Sequence, residues 1–273
     1  MQTITYPLQV GSGTTRIIEA GTGSAVILVH GLGARCDRWR STVERLAALG
    51  YRAITYDLPG HGFASKEPEG PATVPALADH LIAVMDRLDI AHAVLVGTSL
   101  GAHIVSHAAL KALGRVKGLG LVGALGIVPI DQAVAETISR NVRADQRSQF
   151  VGKLSFVLHD PALVTEAFVE EEWRVNTAPG AIAAFTRLGN YLTGGIAGDY
   201  VASELRAALP VDRMLLIWGA YDKAVPLSVA HECKAALGGP ELAIIDGSNH
   251  CPYFEQPDAF DAALVPFLSH CLA

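Results

Sequence analysis

Gly97-Thr98-Ser99-Leu100-Gly101 follows directly on the apolar run 93–96 and opens onto a helical pattern that begins at Ser99. A serine at such a strand-to-helix turn holds its hydroxyl above the sheet edge. The glycines two before and two after it let the backbone and the neighbouring helix approach closely. The pentapeptide therefore reads as the seat of a nucleophile. It also has an ordinary reading, since glycine, serine and small residues fill many turns, and the rest of the chain decides between the two.

A serine hydroxyl is a weak nucleophile at neutral pH and needs a base, with an acid partner to fix the base's tautomer. Residues 214–219, Met-Leu-Leu-Ile-Trp-Gly, read as a buried strand, and the loop after it carries Asp222. Residues 241–245 read as the next strand, running into Asp246-Gly247-Ser248-Asn249-His250. In a parallel sheet both loops lie at the end that carries Ser99. The strand at 118–122 continues into Gly123-Ala124-Leu125-Gly126-Ile127-Val128 with no acid, so Asp222 has no near competitor.

With this chain order, Ser99, Asp222, His250, the sequence resembles the α/β-hydrolase superfamily over essentially its full length. Two further landmarks agree with the family's loops. His30-Gly31-Leu32-Gly33 follows the strand at 26–29, and Asp57-Leu58-Pro59-Gly60-His61-Gly62 follows the strand at 53–56. The resemblance implies a serine enzyme in which His250 is the base, Asp222 orients it, and the backbone N–H groups of Leu32 and Leu100 form an oxyanion hole. It further implies that His30 props its loop and that Asp57 is a scaffold residue. His61 reads as structural. His103 and His107, four apart on one helix, have metal-like spacing but no third ligand in view, so packing against the sheet is the expectation. No cofactor and no metal are expected. Dehalogenase and epoxide-hydrolase chemistry is disfavoured because position 99 is serine and an alkyl-enzyme ester needs a carboxylate.

Alternating strand and helix signals make the fold class α/β: a mostly parallel eight-stranded sheet flanked by helices. Residues 3–19 read as an antiparallel hairpin, followed by strands near 25–30, 52–58, 92–97, 118–124, 213–219 and 241–246. Helices are expected near 36–49, 74–88, 99–113, 227–237 and 257–271. Residues 129–208 break the rhythm with several helices separated by Asp160-Pro161, Ala178-Pro179-Gly180 and Gly194-Gly195. They read as a helical cap inserted into a core of 1–128 and 209–273.

Within the cap, Leu154-Ser155-Phe156-Val157-Leu158-His159-Asp160-Pro161-Ala162-Leu163-Val164-Thr165-Glu166, followed by Trp173, resembles the meta-cleavage-product hydrolases. Those enzymes cut carbon-carbon bonds in vinylogous 1,5-diketones from aromatic compound degradation. Gly123-Ala124-Leu125-Gly126 at the cap entrance fits the same group. The chain departs from that group at Cys251, where an aromatic residue is usual after the histidine, and at Thr98, where asparagine is usual. Its oxyanion loop is shorter, and the group's cap arginine aligns near Glu172. Hydrolysis of a small, largely apolar carboxylic ester or lactone is therefore the leading expectation. Carbon-carbon hydrolysis is the alternative, and a non-catalytic ligand-binding protein the second. Candidate substrate contacts are Arg143, Trp173, Arg174, Asn190 and Cys251.

At 273 residues, 50% hydrophobic and 18% charged, the chain can bury the core of one such domain. Its net charge of −6 and the lack of a basic run argue against nucleic-acid or anionic-membrane partners. No apolar run reaches the roughly 18 residues of a membrane span and residues 1–10 carry no signal-peptide pattern, so the expected setting is cytoplasmic. Cys36, Cys233, Cys251 and Cys271 are too scattered for a disulfide framework. A small-molecule substrate is the expected partner, with a homodimer left open.

Overall fold

Residues 25–29, Ala-Val-Ile-Leu-Val, are apolar at every position, which a strand sustains only when both faces of its sheet are covered. The computed structural model, which describes residues 2–273, has that arrangement. The strands are β1 (Ile4–Val10), β2 (Gly13–Ala20), β3 (Ala25–Val29), β4 (Arg52–Tyr56), β5 (Ala93–Thr98), β6 (Val116–Val122), β7 (Met214–Gly219) and β8 (Glu241–Ile245). They form one sheet in the order β1-β2-β4-β3-β5-β6-β7-β8. The β1–β2 and β2–β4 pairings are antiparallel and all the others parallel. The expected hairpin and mostly parallel eight-stranded sheet are both present.

The two-residue period of a strand sorts the core into two layers. Val26, Leu28, Val94, Val96, Leu215 and Ile217 face helices α1 (Arg40–Ala48) and α11 (Pro257–Leu272), meeting Val43, Leu46, Phe260 and Leu264. Ile27, Val29, Leu95, Leu119, Leu121 and Leu216 face α2 (Val74–Arg87), α3 (Leu100–Lys111) and α9 (Leu227–Ala236). Local signals set the helix ends. Thr73 caps α2 by accepting the Ala76 N–H, with Pro75 in the first turn, where its missing N–H costs nothing.

Between β6 and β7 the chain makes α4 (Gln132–Val142), α5 (Arg147–Val157), α6 (Glu166–Asn176), α7 (Ala181–Asn190) and α8 (Ala202–Ala208). Asp131 caps α4 through the Ala133 N–H, and Thr165 caps α6 through the Phe168 N–H. Helices α4 to α6 contribute side chains to the cavity over Ser99, and α7 packs on α4. Helix α8 instead packs between α3 and α9, with Leu205 in the core layer on that face. Leu188, Leu192 and Ile196 join the same layer, so the last part of segment 129–208 packs on the core face. Among the described residues, no helix is long and apolar enough to cross a membrane.

The cap is tied to one loop of the core. The Phe156 and Val157 carbonyls, at the end of α5, accept hydrogen bonds from Asn249 Nδ2 and from the His250 N–H, each at 3.1 Å. The His159 N–H donates to one oxygen of Glu255, in the short helix α10 (Pro252–Glu255). The other Glu255 oxygen takes the Asn249 N–H at 2.9 Å and the Ser248 hydroxyl at 3.2 Å.

Candidate active site

Ser99 stands between β5 and α3 with φ +56° and ψ −122°, a left-side conformation that costs a non-glycine residue roughly 1–3 kcal/mol. Its surroundings hold it there. Its N–H donates to the Val122 carbonyl at 2.9 Å, and its carbonyl accepts from Ala102 at 3.0 Å and Leu125 at 3.2 Å. The flanking glycines are needed for close approach. A Cβ on Gly97 would lie 2.2 Å from the Gly101 oxygen, and one on Gly101 would lie 2.4 Å from the Val29 oxygen. The two small residues let the start of α3 settle against β3 and β5, which is what turns the serine outward.

Asp222 and His250 come from the loops after β7 and β8. His250 Nδ1 is 2.8 Å from Asp222 Oδ2. The other carboxylate oxygen, Oδ1, accepts the N–H groups of Ala224 and Val225 at 2.9 and 2.8 Å, which fixes the carboxylate in a tight turn. The Asp222 side chain is sealed from solvent. With Asp222 ionised, this geometry makes Nδ1 the donor and leaves Nε2 as the imidazole's basic nitrogen.

Ser99 and His250 line one cavity with Gly31, Leu32 and Gly33 of the loop after β3, and with residues of α4, α5 and α6. The cavity has a volume of about 80 Å³. That suits a small ligand. A Cβ placed on Gly31 would fall 3.0 Å from Ser99 Cβ, so the loop lies directly against the serine. Among the described residues, the Leu32 N–H donates to no backbone carbonyl. The Leu100 N–H opens α3, where no carbonyl lies one turn back in the helix.

The structure sets four expected substrate contacts apart from the cavity. Arg143 binds Ser139 and Asn190 side chains, Trp173 Nε1 donates to the Asp145 carbonyl, and Arg174 pairs with Glu170 on an exposed face. None of Arg143, Trp173, Arg174 and Asn190 lines the cavity, whereas Cys251 does. The reason is helical phase: at 100° per residue, α6 that turns Glu172 inward carries Trp173 and Arg174 away.

The cavity lining includes residues that sequence reasoning missed: Arg38, Lys153 and Tyr253, together with Glu172. A signal for Lys153 existed, since Phe150, Leu154 and Val157 sit three before, one after and four after it on the apolar face of α5. A lysine there is either buried or functional. Burial pushes its ammonium down to about 8 against the opposing pull of Glu172. Burial also acts to raise Glu172, but Arg38 and Arg35 outweigh it and hold that carboxyl below its usual range.

The remaining histidines are engaged elsewhere. His30 Nδ1 meets the Gly31 carbonyl at 2.8 Å and its Nε2 accepts the Leu58 N–H at 3.0 Å, so the ring bridges two loops. His61 is buried on the Pro59 carbonyl at 3.0 Å, and desolvation pushes it down to about 3. His103 and His107 share the Asp199 carbonyl at 2.7 and 3.1 Å. Among the described residues, no group of three or more metal-ligating side chains occurs. Asp57 is held by Arg16 and by two backbone N–H groups, and Asp222 is the carboxylate on His250.

Cys251 is a cavity residue and yet a poor nucleophile. Burial pushes its thiol up to about 12, and the Tyr253 hydroxyl points at the sulfur from 3.8 Å. At pH 7.5 its thiolate fraction is then about three orders of magnitude below that of an ordinary thiol. Iodoacetamide is expected to leave Cys251 unmodified in the folded protein, as read by peptide mass spectrometry. Rapid alkylation at that position would overturn this assignment.

A family model described as the alpha/beta hydrolase fold matches residues 24–257. The dihydrolipoyllysine-residue acetyltransferase component of the acetoin cleaving system of Pseudomonas putida is 28% identical over 263 residues, covering 95% of this chain and 68% of the relative. Of the Cupriavidus necator protein of the same name the chain spans 64%. A pimeloyl-[acyl-carrier protein] methyl ester esterase of Vibrio vulnificus is 28% identical over 254 residues, 90% of this chain and 95% of the esterase. Among solved structures, a meta-cleavage product hydrolase from Pseudomonas fluorescens superposes with a TM-score of 0.86 at 23% identity, over 97% of each chain. At that identity the likeness is one of fold.

Proposed function

Because the chain belongs to the alpha/beta hydrolase family, we propose that it is a serine hydrolase of small carboxylic esters or lactones, working through an acyl-enzyme at Ser99. The observation that carries this reading is the 2.8 Å His250–Asp222 pair facing the same cavity as a serine held at φ +56°. In this scheme His250 Nε2 takes the Ser99 proton as Oγ attacks the ester carbonyl. Asp222 stabilises the imidazolium, and the Leu32 and Leu100 N–H groups receive the oxyanion. The imidazolium then gives its proton to the leaving alcohol. Water, deprotonated by the same nitrogen, releases the acid and restores the serine. Closure of the cap over the cavity keeps bulk water from competing at the oxyanion.

A second reading, carbon-carbon hydrolysis of a vinylogous diketone, is favoured by one observation: two cations, Lys153 and Arg38, share the cavity with Ser99. That reaction needs a polarising group beside the nucleophile to support ketonisation before cleavage. The discriminating experiment is turnover of p-nitrophenyl acetate to octanoate set beside decay of a catechol meta-cleavage product. Ester turnover that prefers short acyl chains, with the dienolate colour persisting, is the expected result. Bleaching of the dienolate with weak ester turnover would invert the ranking. A protein that binds ligands without either reaction, and whose Ser99 resists a fluorophosphonate probe, would be a receptor.

A further inference from the structure

The cavity beside Ser99 carries more positive charge than its own residues neutralise. Lys153, Arg38 and Glu172 all line it. Arg38 Nη2 lies 3.3 Å from Glu172 Oε1 and Arg35 Nε lies 3.4 Å from the same oxygen, but neither contact is aligned as a hydrogen bond. Arg38 Nε and Nη1 and Lys153 Nζ are sealed from solvent and make no hydrogen bond. Phe168 lies under the Arg38 guanidinium at 4.3 Å, and Phe150 lies 4.8 Å from the Lys153 ammonium. Ring faces attract cations but accept no conventional hydrogen bond, and a buried cation without an acceptor is costly.

Rings and one shared carboxylate do not complete this cluster. Rather, the chain spends a lysine and an arginine, one from the cap and one from the core, on the wall of a site that otherwise reads as apolar. We infer that the substrate is an anionic ester, one carrying a free carboxylate that Lys153 and Arg38 bind while its ester carbonyl lies at Ser99.

Position supports a short linker between the two groups. A Cβ on Gly31 would lie 3.0 Å from Ser99 Cβ, and a Cβ on Gly33 would lie 3.4 Å from Lys153 Nζ. Gly31 and Gly33 are two residues apart, at most roughly 7 Å of chain. Hydroxyl and ammonium thus both lie against one short stretch of the oxyanion loop, and half-esters of dicarboxylic acids of graded length measure the separation between them. The carboxylate would take the Lys153 ammonium and the free edge of the Arg38 guanidinium, the charge-assisted pairing in which both are strongest. Glu172 keeps its hydrogen bond from Asn176 at 3.1 Å.

This inference rests on the ester-hydrolase reading, and the test separates the two. Monomethyl and dimethyl esters of succinate, glutarate and adipate are titrated into the Ser99→Ala protein by calorimetry, and their kcat/KM values are measured with the unaltered enzyme. The monomethyl esters are expected to bind about tenfold or more tighter than the dimethyl esters, and to be better substrates by a similar factor. Lys153→Met is expected to cut that preference by about tenfold, while Lys153→Arg, which restores the charge, keeps most of it. The preference should also fade in the unsubstituted protein as pH rises past about 8, where Lys153 loses its proton in the presence of Glu172, Arg38 and His250.

Equal kcat/KM for charged and neutral esters would overturn the anionic site and leave the hydrolase standing. Tight binding of the monoesters with no turnover of any ester would leave the anionic site and sink the hydrolase. Should Lys153→Met fail to fold, the ratio of the two ester classes and its pH dependence in the unsubstituted chain decide the matter.

Discussion

Replacing Ser99 by alanine is expected to lower kcat for ester hydrolysis by about 10⁴-fold or more while leaving thermal stability nearly unchanged. The asymmetry follows from the geometry. Oγ is the atom that would form the acyl bond, and it is the hydroxyl held outward at the strand-to-helix turn. Cys251 lines the cavity, but its thiol stays protonated. Alanine keeps the Cβ, so the left-side backbone at φ +56° is as strained as before and its three backbone hydrogen bonds persist. Steady-state kinetics after active-site titration, set beside a thermal melt, make the comparison. Retention of more than a tenth of the wild-type rate would remove Ser99 from the chemistry.

Asp57→Ala should do the reverse, destabilising the protein without touching the reacting groups. The carboxylate is fully buried and accepts from Arg16 Nε, the Cys36 N–H and the Phe63 N–H, each at 2.9 Å. Its removal leaves two backbone donors unpaired and Arg16 with Asp37 as its remaining partner, so the expected cost is about 3–5 kcal/mol, a large part of a typical domain's 5–15 kcal/mol. Urea unfolding at pH 7 measures it, and a loss under about 1 kcal/mol would contradict the account. The pH dependence has a definite sign. Burial acts to raise the Asp57 carboxyl, but Arg16 and the hydrogen bonds outweigh it and hold it below the usual range. A carboxyl lowered by folding contributes stability that is fully present above its unfolded pKa near 4 and is lost as pH falls through the folded value. The wild type should therefore lose stability below about pH 4, and the alanine variant should show a flatter acid limb.

The core was legible because its residues answer to two constraints at once. Strands such as 25–29 and 93–98 are apolar on both faces, and each ends at a loop whose glycines, serine or histidine have a chemical reason to stand there. Ser99, Asp222 and His250 could be named from loops alone, since a parallel sheet gathers the ends of its strands on one edge. The cap obeys one constraint only. Periodicity says which of its residues share a face, but not which face the cavity takes. Arg143 and Arg174 were plausible as cations and lie on the wrong side of α4 and α6. Lys153 is a single charge within the hydrophobic face of α5, and periodicity alone does not say whether such a lysine ends in a cavity wall or reaches past it to solvent. Arg38 lay hidden next to Trp39, which stacks on Tyr253 at 3.6 Å and draws its neighbour beneath the cap.

The seam between α5 and the loop around His250 bears on how such proteins can be recombined. The insertion supplies the carbonyls that receive the Asn249 side chain and the His250 main chain, and its residue 159 shares Glu255 with the same loop. A cap grafted from a relative would therefore replace part of the bracket on which the imidazole is mounted, along with the specificity surface. Chimaeras cut at the ends of the insertion keep this bracket only where the new segment follows the same main-chain path over 156–159. Exchange that keeps this stretch with the core and trades only α4, α6 and α7 respects the mechanical division of the molecule, which does not coincide with the boundary of the inserted segment.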